Sequence, residues 1–123
     1  MNNIISLDYQ SRTPIYEQII KEVERYVALN ILKPNEQIPS IRELATNLGI
    51  NPNTVKKAYT ELEQKGVIYV ISTKGTFIAD RTHEVVERKI QEGINNINKI
   101  IAELEMLDVT KEEILKRINK NNL

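Results

Sequence analysis

The stretch Pro39-Ser-Ile-Arg-Glu-Leu-Ala-Thr-Asn-Leu-Gly-Ile-Asn-Pro-Asn-Thr-Val-Lys-Lys-Ala-Tyr-Thr-Glu-Leu62 decides the fold. Ser40, with a glutamate three residues later, is typical of a capping box and predicts the start of a short helix. Gly49 can end that helix in a left-handed conformation, and Asn51 followed by Pro52 predicts the start of a second helix. Two short helices joined by a tight turn are the layout of a helix-turn-helix, whose second helix enters the DNA major groove.

A β-hairpin is predicted directly after the second helix. Residues 67–71 and 76–79 are rich in β-branched and aromatic side chains, and the polar segment between them contains Lys74. Upstream, apolar residues at helical spacing predict a further helix over residues 14–30. A hairpin with a cationic tip behind a helix-turn-helix indicates a winged helix-turn-helix domain.

Polar and cationic residues lie opposite the stripe of the second helix that is predicted to be buried, which consists of Val55, Ala58, Tyr59 and Leu62. At about 100° per residue, Asn53 and Lys57 fall on the exposed face, and Thr54 and Lys56 flank it. These residue types pair with base edges and phosphate oxygens, and a helix N-terminus also favours phosphate. A solvated helix face would show the same pattern, so this face alone leaves both interpretations open.

Residues 12–79 resemble the N-terminal domain of the GntR family of bacterial transcription regulators. The matching segments are Pro14-Ile-Tyr-Glu-Gln18, Ile38-Pro-Ser-Ile-Arg-Glu-Leu-Ala45, Gly49-Ile-Asn-Pro-Asn-Thr-Val55, Ala58-Tyr-Thr-Glu-Leu-Glu-Gln-Lys-Gly66 and Lys74-Gly-Thr-Phe77. The resemblance implies that Arg42 contacts a DNA phosphate and that the start of the second helix and the wing tip also meet DNA. Together, the helix face and the resemblance predict these DNA-binding residues: Arg42, Asn51, Asn53, Thr54, Lys56, Lys57, Thr73, Lys74 and Gly75.

The wing departs from the family's pattern at one position. The family commonly has Gly-x-Gly-Thr-Phe, and Thr73 stands where the first glycine would be. Because a residue other than glycine disfavours a tight, strained tip, insertion of the wing into the minor groove is the least favoured of the expected DNA contacts.

The region after the hairpin returns to helical periodicity. Residues 82–107 predict a long helix, and Thr110 with Glu113 predicts the cap of a second one. An aliphatic seam with steps of four and three residues runs along the first of these helices: Ile90, Ile94, Ile97, Ile101 and Leu104. Two isolated helices cannot bury this surface, so we expect a homodimer, with packing against the preceding domain as the alternative.

The predicted fold class is mainly α with a small β-hairpin. A winged helix-turn-helix domain over residues 1–80 is followed by a two-helix dimerisation tail over residues 81–123. This short tail resembles that of the YtrA-type branch of GntR regulators, whose members often repress operons for ABC transporters. Short operators read by such modules are usually pseudo-palindromic, which also requires a two-fold dimer.

Composition excludes several other functions. Because 17 Lys and Arg balance 17 Asp and Glu, the formal net charge is zero and gives no global attraction to DNA. There is no cysteine, and no cluster of ligands accompanies the single histidine, His83, so we predict no catalytic residue, metal, cofactor or enzyme activity. The longest apolar run, residues 67–71, is far too short to span a membrane, and the N-terminus lacks signal-peptide features. We therefore expect a cytoplasmic protein.

Two functions remain open at this stage. The first is a homodimeric repressor that binds a pseudo-palindromic operator in double-stranded DNA, and the second is a winged-helix module that binds another protein. Arg42, Lys56, Lys57 and Lys74 favour the first, because a protein-binding winged helix has no need of cations around its recognition face. The sequence identifies no small-molecule effector.

Overall fold

The computed structural model describes residues 5–80 and 82–121. Within them the elements follow the order α1 Ile15–Ala28, β1 Gln37–Ile38, α2 Ile41–Leu48, α3 Pro52–Gln64, β2 Ile68–Ile71, β3 Gly75–Ile78, α4 Thr82–Glu105 and α5 Lys111–Asn121. The chain divides between Glu87 and Arg88 into two compact units, so the first unit contains α1 to α3, the sheet and the start of α4. The mainly helical fold with a winged helix-turn-helix, predicted from the sequence, is confirmed.

Local capping chemistry explains where α2 ends and where α2 and α3 begin. Ser40 Oγ accepts a hydrogen bond from the Glu43 backbone N–H at 3.1 Å, and the Glu43 carboxylate accepts one from the Ser40 N–H at 3.3 Å. Gly49 ends α2 with a φ of 67° and a ψ of 37°, a left-handed conformation that glycine adopts without steric cost. Asn51 Oδ1 accepts a hydrogen bond from the Asn53 N–H at 2.8 Å. Both predicted N-caps are therefore present.

The wing is a three-stranded antiparallel sheet in the order β1-β3-β2. Strands β2 and β3 form the predicted hairpin, with Tyr69 opposite Phe77 and the two rings stacked at 5.4 Å between centroids. Strand β1 pairs with the other edge of β3 and places Gln37 opposite Phe77. The sequence predicted the hairpin alone, because the two residues of β1 are too few to show strand alternation.

A hydrophobic core joins α1, α2, α3 and the sheet within the first unit. The stripe predicted for α3 is buried at each of its positions: Val55, Ala58, Tyr59 and Leu62. Ile19 and Val23 from α1, Leu44 from α2 and Ile78 from β3 pack into the same core. The Glu24 carboxylate on α1 is nearly buried, and the Lys65 Nζ at the end of α3 lies 3.8 Å from it. This ion pair ties α1 to the C-terminal end of α3.

The second unit consists of the remainder of α4, a short turn and α5. Thr110 Oγ1 accepts a hydrogen bond from the Glu113 N–H at 3.2 Å, so the predicted cap precedes α5. The Glu113 carboxylate accepts a hydrogen bond from Arg117 Nε at 3.0 Å, one turn further along the helix. Ile101 of α4 and Ile114 of α5 are buried, while most other large aliphatic side chains of this unit are exposed.

Candidate nucleic-acid interface

The N-terminal end of α3 carries polar and cationic side chains. Asn53, Lys56 and Lys57 are exposed, and Thr54 is half-buried. The amide oxygen of Asn51 is used in the helix cap, so its NH₂ group is the part that can meet another molecule. Donors, acceptors and positive charge are therefore concentrated in the first two turns of this helix, as base edges and phosphates require.

A cleft of about 380 Å³ lies between α2, α3 and the wing. Arg42 from α2 and Lys56 from α3 both line it, together with Glu63. The rest of the lining is hydroxyl-bearing or aliphatic: Ser40, Ile41, Tyr59, Thr60, Ile68, Val70 and Thr76. The cleft brings together two of the predicted DNA-binding cations, one from each helix of the helix-turn-helix.

Tyr59 fixes the relative position of the two helices at this cleft. Its hydroxyl donates a hydrogen bond to the Pro39 carbonyl at 2.7 Å, which ties α3 to the residue that precedes the α2 cap. Burial raises the pKa of Tyr59, and the negative charge of Glu43 raises it further. The hydroxyl therefore keeps its proton, and its role as donor, well above neutral pH.

Lys57 has different surroundings from its neighbour Lys56. Its Nζ lies 4.0 Å from the centroid of the Tyr16 ring on α1, a cation–π arrangement. The Tyr16 hydroxyl in turn donates a hydrogen bond to Glu17 Oε1 at 3.2 Å. Both lysines were predicted to bind DNA, but Lys56 lines the cleft and Lys57 lies against α1. Helical periodicity could not separate them, because the partner of Lys57 is on another helix.

The wing tip is a tight turn between β2 and β3. The Lys74 backbone N–H donates a hydrogen bond to the Ile71 carbonyl at 2.9 Å, and the side chains of Thr73 and Lys74 are exposed. Thr73 is not among the residues with positive φ, so threonine fits there without backbone strain. Gly75 has a φ of 130°, which few other residues adopt. The tip therefore depends on the second glycine of the family's pattern and not on the first.

Gln37 also belongs to this part of the molecule, although it was not among the predicted site residues. Its Nε2 donates a hydrogen bond to the Lys74 carbonyl at 3.1 Å, across 37 positions of sequence. No motif marks this glutamine, and only the pairing of β1 with β3 brings it to the wing tip. A sequence-based search could have found it only by predicting β1.

The second unit displays an aliphatic face. Of the five predicted dimerisation residues, Ile101 is only 6% exposed, whereas the others are strongly exposed: Ile90 54%, Ile94 45%, Ile97 51% and Leu104 38%. A groove of about 360 Å³ between α4 and α5 adds further apolar surface, lined by Ile100, Leu104, Val109, Ile114, Arg117, Ile118 and Asn121. Exposed aliphatic surface of this extent is typical of an interaction site.

The described residues offer neither a metal site nor a membrane-spanning helix. Across residues 5–80 and 82–121, no three His, Cys, Asp or Glu side chains are grouped so that they could hold a metal ion, and His83 is exposed. The helices of the same part of the chain are too short or too polar to cross a membrane.

Comparisons with known proteins agree with this geometry. The model of the family described as bacterial regulatory proteins, gntR family, matches residues 15–78. The HTH-type transcriptional repressor YtrA of Bacillus subtilis (strain 168) is 38% identical over 112 residues, which cover 90% of this chain and 86% of YtrA. The crystal structure of a transcriptional regulator from Oenococcus oeni has a TM-score of 0.83 at 38% identity, covering 94% of this chain and 96% of that one.

A further solved structure contains DNA. The DNA-binding domain of AraR, crystallised in complex with operator ORR3, is similar with a TM-score of 0.52 at 28% identity. The similarity covers 60% of this chain and 89% of that domain. This chain is thus similar, over 60% of its length, to a domain seen on its operator.

Proposed function

Because the chain belongs to the gntR family of bacterial regulatory proteins, we propose that it is a homodimeric repressor that binds a pseudo-palindromic operator in double-stranded DNA. Its relatives are regulators, and it is a regulatory protein rather than an enzyme. One observation carries the proposal: the cleft places Arg42 and Lys56 beside the capped start of α2. Two cations next to a helix N-terminus suit the phosphate backbone of DNA.

The proposed contacts fall into two classes. Asn53 and Thr54, exposed or half-exposed in the first turn of α3, read base edges, since short polar side chains there reach the major groove. Arg42 and Lys56 hold phosphates and set the position of the helix on the duplex. Lys74 at the wing tip approaches a neighbouring phosphate or the minor groove. The complex of the similar AraR domain with its operator supports DNA binding by this fold.

Homodimerisation through α4 and α5 is the second part of the proposal. The exposed isoleucines of α4 are spaced four and three residues apart, which suits packing against a second copy of the same helix. A dimer with two-fold symmetry places two recognition helices on two half-sites, so the operator should be pseudo-palindromic.

Repression of an operon is the third part. The similarity to a transcriptional repressor over 90% of the chain supports a repressor rather than an activator. The resemblance to YtrA-type regulators makes an operon for an ABC transporter the proposed target. Because the proposed partner is bacterial DNA, the protein would act in the cytoplasm.

Gel shift with the DNA upstream of the protein's own gene tests the proposal. We expect specific binding by the wild type and a loss of affinity of at least about 30-fold in Arg42→Ala/Lys56→Ala, since two contacts disappear. The matched control Lys33→Ala/Lys120→Ala removes two exposed lysines that do not line the cleft and should bind within about twofold of the wild type.

The same experiment distinguishes the alternative of a protein-binding winged helix. Wild-type affinity should fall steeply with salt, by a slope of about −0.9 per neutralised phosphate in a double-logarithmic plot. Equal affinity of the cleft variant and the wild type, together with a flat salt response, would favour the protein-binding module.

A further inference from the structure

Gln37 forms a side-chain bridge from one edge of the sheet to the wing tip. Strand β1, which carries it, pairs with β3, and its Nε2 donates a hydrogen bond to the Lys74 carbonyl at 3.1 Å. The Lys74 N–H is already bonded to the Ile71 carbonyl at 2.9 Å. Both backbone polar groups of Lys74 are therefore held, one by the turn and the other by Gln37.

Gly75 leaves the space that this bridge needs. A Cβ at Gly75 would lie 2.5 Å from Gln37 Nε2, closer than two such atoms can approach. The φ of 130° at Gly75 also turns the chain sharply just after the bonded carbonyl. The glycine of the wing thus serves two purposes, since it permits the turn and admits the glutamine side chain.

We propose that Gln37 is a positioning residue that holds the wing tip so that the Lys74 ammonium meets DNA. This inference rests on the proposed function. A tip fixed before binding loses less conformational entropy when it engages DNA than a loose tip, so the bridge should strengthen binding without touching DNA itself.

A double-mutant cycle on the full chain tests the inference. Operator affinity is measured by gel shift for the wild type, Gln37→Ala, Lys74→Ala and the double variant. We expect Gln37→Ala to weaken binding by roughly three- to tenfold, the range of one hydrogen bond. The double variant should be no weaker than Lys74→Ala, because Gln37 acts only through Lys74.

Two controls separate positioning from unfolding. Gln10→Ala removes another exposed glutamine, in the turn before α1, and should leave operator affinity unchanged. The thermal midpoint of Gln37→Ala should stay within a few degrees of the wild type, because an exposed hydrogen bond contributes little to global stability.

Each outcome has a defined meaning. Equal losses from Gln37→Ala in the wild-type and Lys74→Ala backgrounds would show that Gln37 contacts DNA directly, and would overturn the inference. Unchanged affinity in Gln37→Ala would overturn it as well. If the wild type itself does not bind the operator, both the proposed function and this inference fail. If the wild type binds but the losses from Gln37→Ala and Lys74→Ala are additive, only the inference fails.

Discussion

The two units of the chain differ in whether their apolar side chains are buried or exposed. In the first unit, aliphatic residues from three helices and the sheet are buried together. The N-termini of α2 and α3 are capped by side chains of the same unit. In the described part of the second unit, Ile101 and Ile114 are buried, whereas most of the isoleucines and leucines remain exposed. The first unit therefore completes its own core, and the second offers a surface that a partner can cover.

This difference assigns a separate task to each unit. A closed core holds the cleft, α3 and the wing in fixed positions, as recognition of a rigid duplex requires. An open aliphatic face suits association with a second copy, which brings two such readers to one operator. Core substitutions in the first unit should consequently lower its stability, whereas substitutions in the aliphatic face of the second unit should disrupt association.

The largest effect is expected from a charge in the aliphatic face. Ile97 is 51% exposed in the chain, so Ile97→Asp should leave the fold of the first unit intact while preventing dimerisation. Because a second half-site contact raises overall affinity by about 10² to 10⁴, operator binding should fall by that factor. Sedimentation and gel shift measure the two effects. Asn96→Asp, which adds the same charge to the neighbouring exposed position, is the control; a dimeric Ile97→Asp would contradict the account.

A large loss of stability is expected from the core of the first unit. Leu62 on α3 is fully buried, so Leu62→Ala should lower the free energy of unfolding by about 2–5 kcal/mol. Leu29→Ala, the same substitution at an exposed leucine of the same unit, should cost well under 1 kcal/mol. Urea unfolding followed by circular dichroism measures both. Similar losses in the two variants would mean that the first unit does not have the closed core described above.

A smaller effect is expected from the cap of α2. Ser40→Ala removes the oxygen that accepts from the Glu43 N–H and should cost about 1 kcal/mol of stability. The control Ser6→Ala, at an exposed serine before α1, should have no measurable effect. A thermal melt compares them, and an unchanged midpoint in Ser40→Ala would show that α2 does not depend on its cap.

The smallest loss of stability is expected from Lys57→Ala. This variant also tests whether Lys57 contacts DNA or only packs against α1. Because its ammonium lies over the Tyr16 ring, Lys57→Ala should cost about 0.5–1 kcal/mol of stability and leave the salt dependence of operator binding unchanged. Lys56→Ala should instead reduce the salt slope by about 1, as the loss of one phosphate contact requires. Titrations at several salt concentrations compare the two slopes. An equal reduction of the salt slope in both variants would show that Lys57 contacts DNA as Lys56 does.

Local chemistry in the sequence was sufficient to predict the helix-turn-helix. Ser40 with Glu43, Gly49, and Asn51 before a proline are signals that act within a few residues, and each is present in the structure as predicted. The buried stripe of α3 followed from periodicity for the same reason. Short-range rules predict such elements well, because their determinants are adjacent along the chain.

Long-range contacts could not be predicted in this way. Strand β1 has two residues and exists only because β3 lies beside it, so Gln37 had no signal of its own. The pairing of Lys57 with Tyr16 likewise depends on how α1 packs against α3. Which of the predicted residues contact DNA remains a prediction, because side-chain types and exposure indicate a suitable surface and not its bound partner.

The number of chains bound to one operator tests the central claim most directly. Native mass spectrometry of the wild-type protein on its operator duplex should show two copies per duplex. Ile97→Asp at the same concentration should show little complex. A single wild-type copy per duplex, together with an Ile97→Asp variant that binds as tightly as the wild type, would contradict the account. One copy of the chain would then read the operator without the second copy that the aliphatic face is proposed to bind.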